Sequence, residues 1–156
     1  MVGNDVSTPE ATLGDELVRV FKLMGVARQR MPRHHPQVDP MAYPLLHHLH
    51  RGPLRVSALA DAVHADVSTI SRQVSTLVDL GFVTRGPDPD DGRAQVLSAT
   101  EEGAALLRAI REGRERWLRS LLSDWSEDDV RSFTVHLVRL ADDLETSLSD
   151  PDRQTP

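Results

Sequence analysis

The chain has 156 residues, a formal net charge of −6 and no cysteine. That length is about one domain's worth, and the missing cysteines exclude disulfides, thiolate metal sites and cysteine redox sensing together. The negative balance argues against a generic polyanion binder, but the acid is concentrated late, with nine acidic against three basic residues in 121–156.

Residues 1–11 and 150–156 are polar, contain proline and lack a period, and are expected to be disordered tails. No apolar run behind a basic start suggests a secretory signal, and no stretch approaches the ~18 apolar residues of a membrane span. A cytoplasmic protein is expected, with one domain over 12–149.

Leu13, Leu17, Val20, Phe21, Met24 and Ala27 follow helical spacing, and Val18, Leu23 and Val26 fill the opposite side. A helix apolar almost all round needs cover almost all round, which in a small chain points to a second subunit. Pro32 and Pro36 should end it. A second helix follows in "VDPMAYPLLHHLHRG", with Asp39 as cap; Pro44 fits only if the helix proper starts near it. "VSALADAV" is a short third helix, with Ser57 as its expected N-cap. His64 and Ala65 make a turn. The fourth helix, Asp66–Leu80, buries Val67, Ile70, Val74, Leu77 and Val78, and Gly81 stops it. "FVTR" (82–85) and "AQVLS" (94–98) are β-type runs joined by a short loop. Thr100 begins a fifth helix reaching about Leu122. Ser126 begins a sixth, with Asp129 completing something close to a capping box and an apolar seam from Val130 to Leu148.

Two short helices joined by a tight turn, the second exposing Ser, Thr, Arg and Gln, make a helix-turn-helix. Arg and Gln can read base edges in a major groove, and small hydroxyls can contact phosphates or thymine methyl groups. The strand–loop–strand makes it a winged helix, whose tip residue Arg93 suits a narrow minor groove. Asp88, Asp90 and Asp91 look wrong for DNA, unless Asp91 pairs with Arg93 and fixes its direction. The predicted class is mainly α with a small β-hairpin wing.

The run "LRVSALADAVHADVSTISRQVSTLVDLGFVTRGPDPDDGRAQVLSATEEG" resembles the MarR family of bacterial transcriptional regulators. The resemblance rests on "STISRQV", "LGFVTR", "DPDDGR" and "LSATEEG" in combination. It implies an obligate homodimer in which the first and last two helices interlock, here about 12–32 and 100–149. Two winged helices, about 39–99 in each subunit, would grip a pseudo-palindromic double-stranded operator. Family members usually repress, and many release DNA when a small, often aromatic and anionic, effector binds between the dimerisation region and the winged helix. Carried onto this sequence, the DNA contacts would be Ser68, Thr69, Ser71, Arg72, Gln73 and Arg93. Ser57 is a further phosphate candidate, and Arg85 would touch the DNA backbone or pair with a wing acid. Arg19, Tyr43 and His47 are candidates for the effector.

The dimer also follows from the residues alone. The apolar stripes of the first and last two helices are too wide for one small winged helix to cover, and burying each Leu-sized side chain is worth about 1.5–3 kcal/mol.

Other readings compete. A winged helix can serve as a protein–protein adaptor. Five histidines within 17 residues (His34, His35, His47, His48 and His50) allow a metal-responsive regulator, because imidazole binds zinc and nickel. Trp117 and Trp125 suit core or interface better than a ligand site. The stretch from Arg108 to Arg119 alternates with Glu112 and Glu115 as a solvated ion-paired face. No Gly-rich phosphate loop, cysteine nucleophile or H-E-x-x-H occurs, so no enzyme and no cofactor is expected.

Overall fold

A computed structural model describes residues 8–31 and 33–149, the last by its backbone alone. Its element order is α1 (Pro9–Arg30), a 3₁₀ turn (Pro40–Ala42), α2 (Tyr43–Arg51), α3 (Val56–Ala62) and α4 (Val67–Asp79), then β1 (Val83–Pro87), β2 (Gln95–Ala99), α5 (Glu101–Leu121) and α6 (Glu127–Ser149). Among the described residues no helix is long and apolar enough to cross a membrane. The chain divides after Leu106, within α5, into two units.

In the first unit α1 begins earlier than its apolar period predicts. Thr8 caps it through a hydrogen bond from the Ala11 amide at 3.2 Å, and Pro9 takes the first turn, where its missing N–H costs nothing. Residues 9–11 are therefore helix, not tail; residues 1–7, 150–156 and Pro32 lie outside the described residues. No described residue of α1 is buried, and Val18 and Phe21 are 69% and 70% exposed.

Asp39 accepts the Met41 amide at 2.8 Å and opens the 3₁₀ turn, so α2 starts at Tyr43 with Pro44 in its first turn. Leu45, Leu46 and Leu49 of α2, Leu59 of α3 and Val74 and Leu77 of α4 form the buried centre, joined by Leu97 of β2. Asp66 caps α4 by accepting the Thr69 amide at 3.0 Å. At the other end Gly81 adopts φ 78°, and the amides of Gly81 and Phe82 bond to the carbonyls of Val78 and Leu77, both at 2.9 Å. This paired closure needs a left-handed residue, which glycine supplies without strain. Val67 departs from its expected burial: as the first residue of α4 it lies beyond the core and is 49% exposed.

β1 and β2 pair antiparallel, with Arg85 opposite Leu97 and Pro87 opposite Gln95. The strands sit one or more residues later than the β-propensity of "FVTR" and "AQVLS" places them. Phe82 is held by the α4 closure, and β1 runs through Gly86 to Pro87. Leu54 exchanges two backbone hydrogen bonds with Leu97, at 3.0 and 2.8 Å, and so pins the linker between α2 and α3 to the wing.

In the second unit the α5–α6 junction carries the expected capping box. The Asp129 amide bonds to Ser126 Oγ at 3.1 Å, and the Ser126 amide bonds back to Asp129 Oδ2 at 3.4 Å. Trp125 packs edge-to-face on Phe133, with ring centroids 5.6 Å apart. Along α6, Leu137, Leu144 and Leu148 are exposed.

Candidate nucleic-acid interface

The buried stripe of α4 (Ile70, Val74, Leu77) fixes which residues face outward. Ser68 and Arg72 are exposed, and Thr69, Ser71 and Gln73 are half-exposed. The five expected contacts thus lie along one helix. Their states differ. Ser68 Oγ donates to Asp66 Oδ1 at 2.5 Å, leaving its oxygen lone pairs to accept. Arg72 has no side-chain hydrogen bond or ion pair among the described residues. Its guanidinium can therefore offer its full fork of donors to a base edge or phosphate. Hydrogen bonds from Ser68 and Thr69 hold the Asp66 carboxyl down at about 2, so the cap is ionised at neutral pH. That negative charge at the start of α4 suits the helix dipole.

Arg85, on β1, turns toward α4, not toward a wing acid: its Nη2 donates to Ser75 Oγ at 3.4 Å. Ser75 itself donates to the Ser71 carbonyl. Ser57 is exposed but does not cap α3. Arg55 occupies that position, and its carbonyl accepts the Leu59 amide at 2.9 Å, which closes the first turn two residues before Ser57 could.

The wing tip differs most from the expectation. Asp91 does not meet the Arg93 guanidinium; its Oδ1 accepts the Arg93 amide at 3.1 Å. The turn spacing places that amide beside the carboxylate, so Asp91 shapes the backbone that carries Arg93. The other oxygen of Asp91 lies 3.7 Å from Arg55 Nη2. The buried acid is Asp88: its Oδ2 accepts Arg55 Nε at 2.6 Å, and its Oδ1 accepts the amides of Asp90 and Asp91 at 2.8 and 3.3 Å. The Arg55 hydrogen bond, then the Asp90 amide, push the Asp88 carboxyl below its ordinary value, while Asp88 raises Arg55. This pair carries no sequence signal, because 33 positions separate its members and no local pattern links them.

The effector candidates do not converge. Arg19 pairs with Glu16 of its own helix. Tyr43 is half-buried, and its hydroxyl has no hydrogen-bond partner among the described residues. His47 is exposed one turn further along α2, its ring beside that of His48. The histidines disperse too. His34 packs edge-on against Tyr43, and His35 against Phe82 at 5.2 Å. Among the described residues no three His, Cys, Asp or Glu side chains are placed to hold a metal ion.

A model described as MarR family matches residues 37–94, from the approach to α2 through the wing. The chain belongs to the MarR family of transcriptional regulators. An uncharacterized HTH-type transcriptional regulator of Mycobacterium bovis is 36% identical over 101 residues, covering 64% of this chain and 66% of the relative. The chain spans just under two thirds of the first curated relatives it matches. The PcaV transcriptional regulator of Streptomyces coelicolor, solved with its natural ligand, is 26% identical with a TM-score of 0.60, covering 91% of this chain and 98% of that one. FabT of Streptococcus pneumoniae, solved in complex with DNA, has a TM-score of 0.71 at 15% identity, covering 86% and 96%. At that identity FabT shows the fold alone. MarR-family proteins are transcriptional regulators, not enzymes, and the mostly helical chain with its two-stranded wing has their winged-helix fold.

Proposed function

We propose that this MarR-family chain is a sequence-specific regulator of transcription that binds double-stranded DNA in the cytoplasm. The observation that carries the reading is Arg72, exposed and unpaired among the described residues, beside Gln73 on the helix that follows the turn. In this reading α4 enters the major groove, where Arg72 and Gln73 read base edges while Ser68, Thr69 and Ser71 contact phosphate or thymine methyl groups. Arg93 enters the adjoining minor groove, and Ser57 and Arg85 meet the backbone. The FabT complex supports DNA as the partner of this fold.

A homodimer on a pseudo-palindromic operator is part of the same proposal. It is supported by α1, which buries nothing in a single chain while exposing Leu13, Val18, Val20, Phe21, Leu23 and Met24. Repression relieved by a small-molecule effector is supported by PcaV and its natural ligand, and by the Tyr43 hydroxyl, buried without a partner among the described residues.

The test is binding of the purified chain to duplexes from its own promoter region across a salt series. Phosphate contacts release counterions, so affinity should fall steeply with salt. Arg72→Ala should cost about 1–3 kcal/mol on the cognate site and much less on unrelated duplex. Absence of binding to any duplex at low salt would favour the protein–protein adaptor.

A further inference from the structure

We propose that Arg55 and Asp88 are positioning residues that brace the wing against the helix-turn-helix and so aim Arg93. The proposal rests on the DNA-binding reading above and adds residues which that reading does not use. The hairpin is held at two heights. At mid-strand, Leu54 exchanges both backbone hydrogen bonds with Leu97 of β2. Toward its tip the next residue, Arg55, reaches Asp88 through Nε at 2.6 Å and approaches Asp91 through Nη2 at 3.7 Å. One dipeptide at the entry to α3 therefore holds the wing both at mid-strand and toward its tip.

Asp88 passes that fixation on. Only 8% of it is exposed. A carboxylate so shielded is costly unless paired and fully hydrogen-bonded. It meets that requirement with Arg55 on one oxygen and the Asp90 and Asp91 amides on the other. Its own amide bonds to the Ala94 carbonyl at 3.0 Å, and the Ala94 amide to the Asp91 carbonyl at 2.8 Å. Asp91 then holds the Arg93 amide. A continuous chain of hydrogen bonds thus runs from Arg55 through Asp88 and Asp91 to the backbone of Arg93. It also gives two acids on the wing a structural role: Arg55 pairs with both and offsets one of their two charges, leaving Arg93 outside the pairing.

The rival role for Arg55 is direct: its half-exposed guanidinium could leave Asp88 and contact a phosphate. A double-mutant cycle with the full chain separates the two. Operator affinity is measured for wild type, Arg93→Ala, Arg55→Ala and the double variant, after thermal melting confirms that each is folded. If Arg55 works through Arg93, each single change weakens binding by roughly tenfold, and the double variant is within about twofold of Arg93→Ala. Hydroxyl-radical protection at the minor-groove flanks should disappear in Arg55→Ala while protection under α4 persists. Losses that multiply in the double variant overturn the brace and leave the DNA reading intact. An Arg93→Ala variant that binds like wild type overturns the wing part of the DNA reading, and the brace with it. Asp88→Asn serves if Arg55→Ala does not fold. Its amide oxygen still accepts the two turn amides, but it loses the ion pair and should weaken binding although a negative charge is gone. Tighter binding by Asp88→Asn overturns the proposal.

Discussion

Gly103 lies so close to Phe82 that a Cβ at position 103 would overlap the Phe82 carbonyl oxygen and sit 3.1 Å from its carbon. The same oxygen accepts the Thr100 amide at 3.0 Å. Thr100 Oγ1 donates to the Gly81 carbonyl at 2.6 Å and accepts the Gly103 amide at 3.1 Å. One hydroxyl thus ties the exit of α4 to the start of α5. In an unobstructed helix Gly→Ala gains up to about 1 kcal/mol. Here the obstructing atoms are backbone and cannot rotate away, so Gly103→Ala is expected to destabilise by about 1–3 kcal/mol. The urea midpoint reads it, and a midpoint at or above wild type would show that the two segments part easily.

The α4 cap should carry its own pH signature. The Asp66 carboxyl is held at about 2 by Ser68 first and Thr69 second. A depressed folded value means that the stabilisation is complete above the unfolded value, about 3.9, and is lost as pH falls toward 2. Asp66→Asn keeps a good cap without the charge. The difference in melting midpoint between wild type and Asp66→Asn should hold from neutral pH to about 5 and close between about 4 and 2. A difference unchanged at the lowest pH would mean that Asp66 is not the titrating group.

Asp91 and Arg93 test a sign. Arg93→Ala should leave the melting midpoint nearly unchanged and weaken operator binding, because its side chain makes no ion pair among the described residues. Asp91→Ala removes a negative charge from the tip that the proposed reading places at DNA, and simple electrostatics expects tighter binding. Loss of the bonds to the Arg93 amide and to Arg55 is expected to outweigh that gain and weaken binding. Tighter binding in an anisotropy titration would reduce Asp91 to a repulsive surface charge.

What the sequence disclosed follows the range of the forces involved. Local signals located their elements closely: Asp66 and Gly81 bracket α4, Ser126 with Asp129 opens α6, and Pro44 marks where α2 begins. The start of α1 is not legible from periodicity, because Thr8–Pro9 is a capping signal in front of a polar first turn and apolar periodicity appears only from Leu13. Residue type favours Ser57 as the cap of α3, although the cap is Arg55, two residues earlier. The wing pairing departs from expectation for a different reason. Asp91 and Arg93 are close in sequence, while the partner the carboxylates meet, Arg55, is close only after Leu54 has paired with Leu97. The histidine run shows the converse: near along the chain, its side chains form no metal-holding group of three among the described residues.

The exposed faces of α1 and α6 give the last expectation. Phe21 on α1 and Leu137, Leu144 and Leu148 on α6 are all about half exposed or more in the single chain. Each Leu-sized side chain left in water forgoes about 1.5–3 kcal/mol, so a second copy burying both faces would contribute much of the stability of the folded state. Sedimentation at micromolar concentration should give about twice the 17.3 kDa chain mass. Leu137→Asp places a charge in the middle of the α6 stripe. If that stripe is an interface, an unpaired carboxylate there costs several kcal/mol, so mass and melting midpoint should fall together. The dimer is then required for stability, and wild-type melting should rise with protein concentration. A well-folded Leu137→Asp protein with wild-type mass would place the contact elsewhere, and a wild-type monomer with a concentration-independent midpoint would remove the dimer altogether.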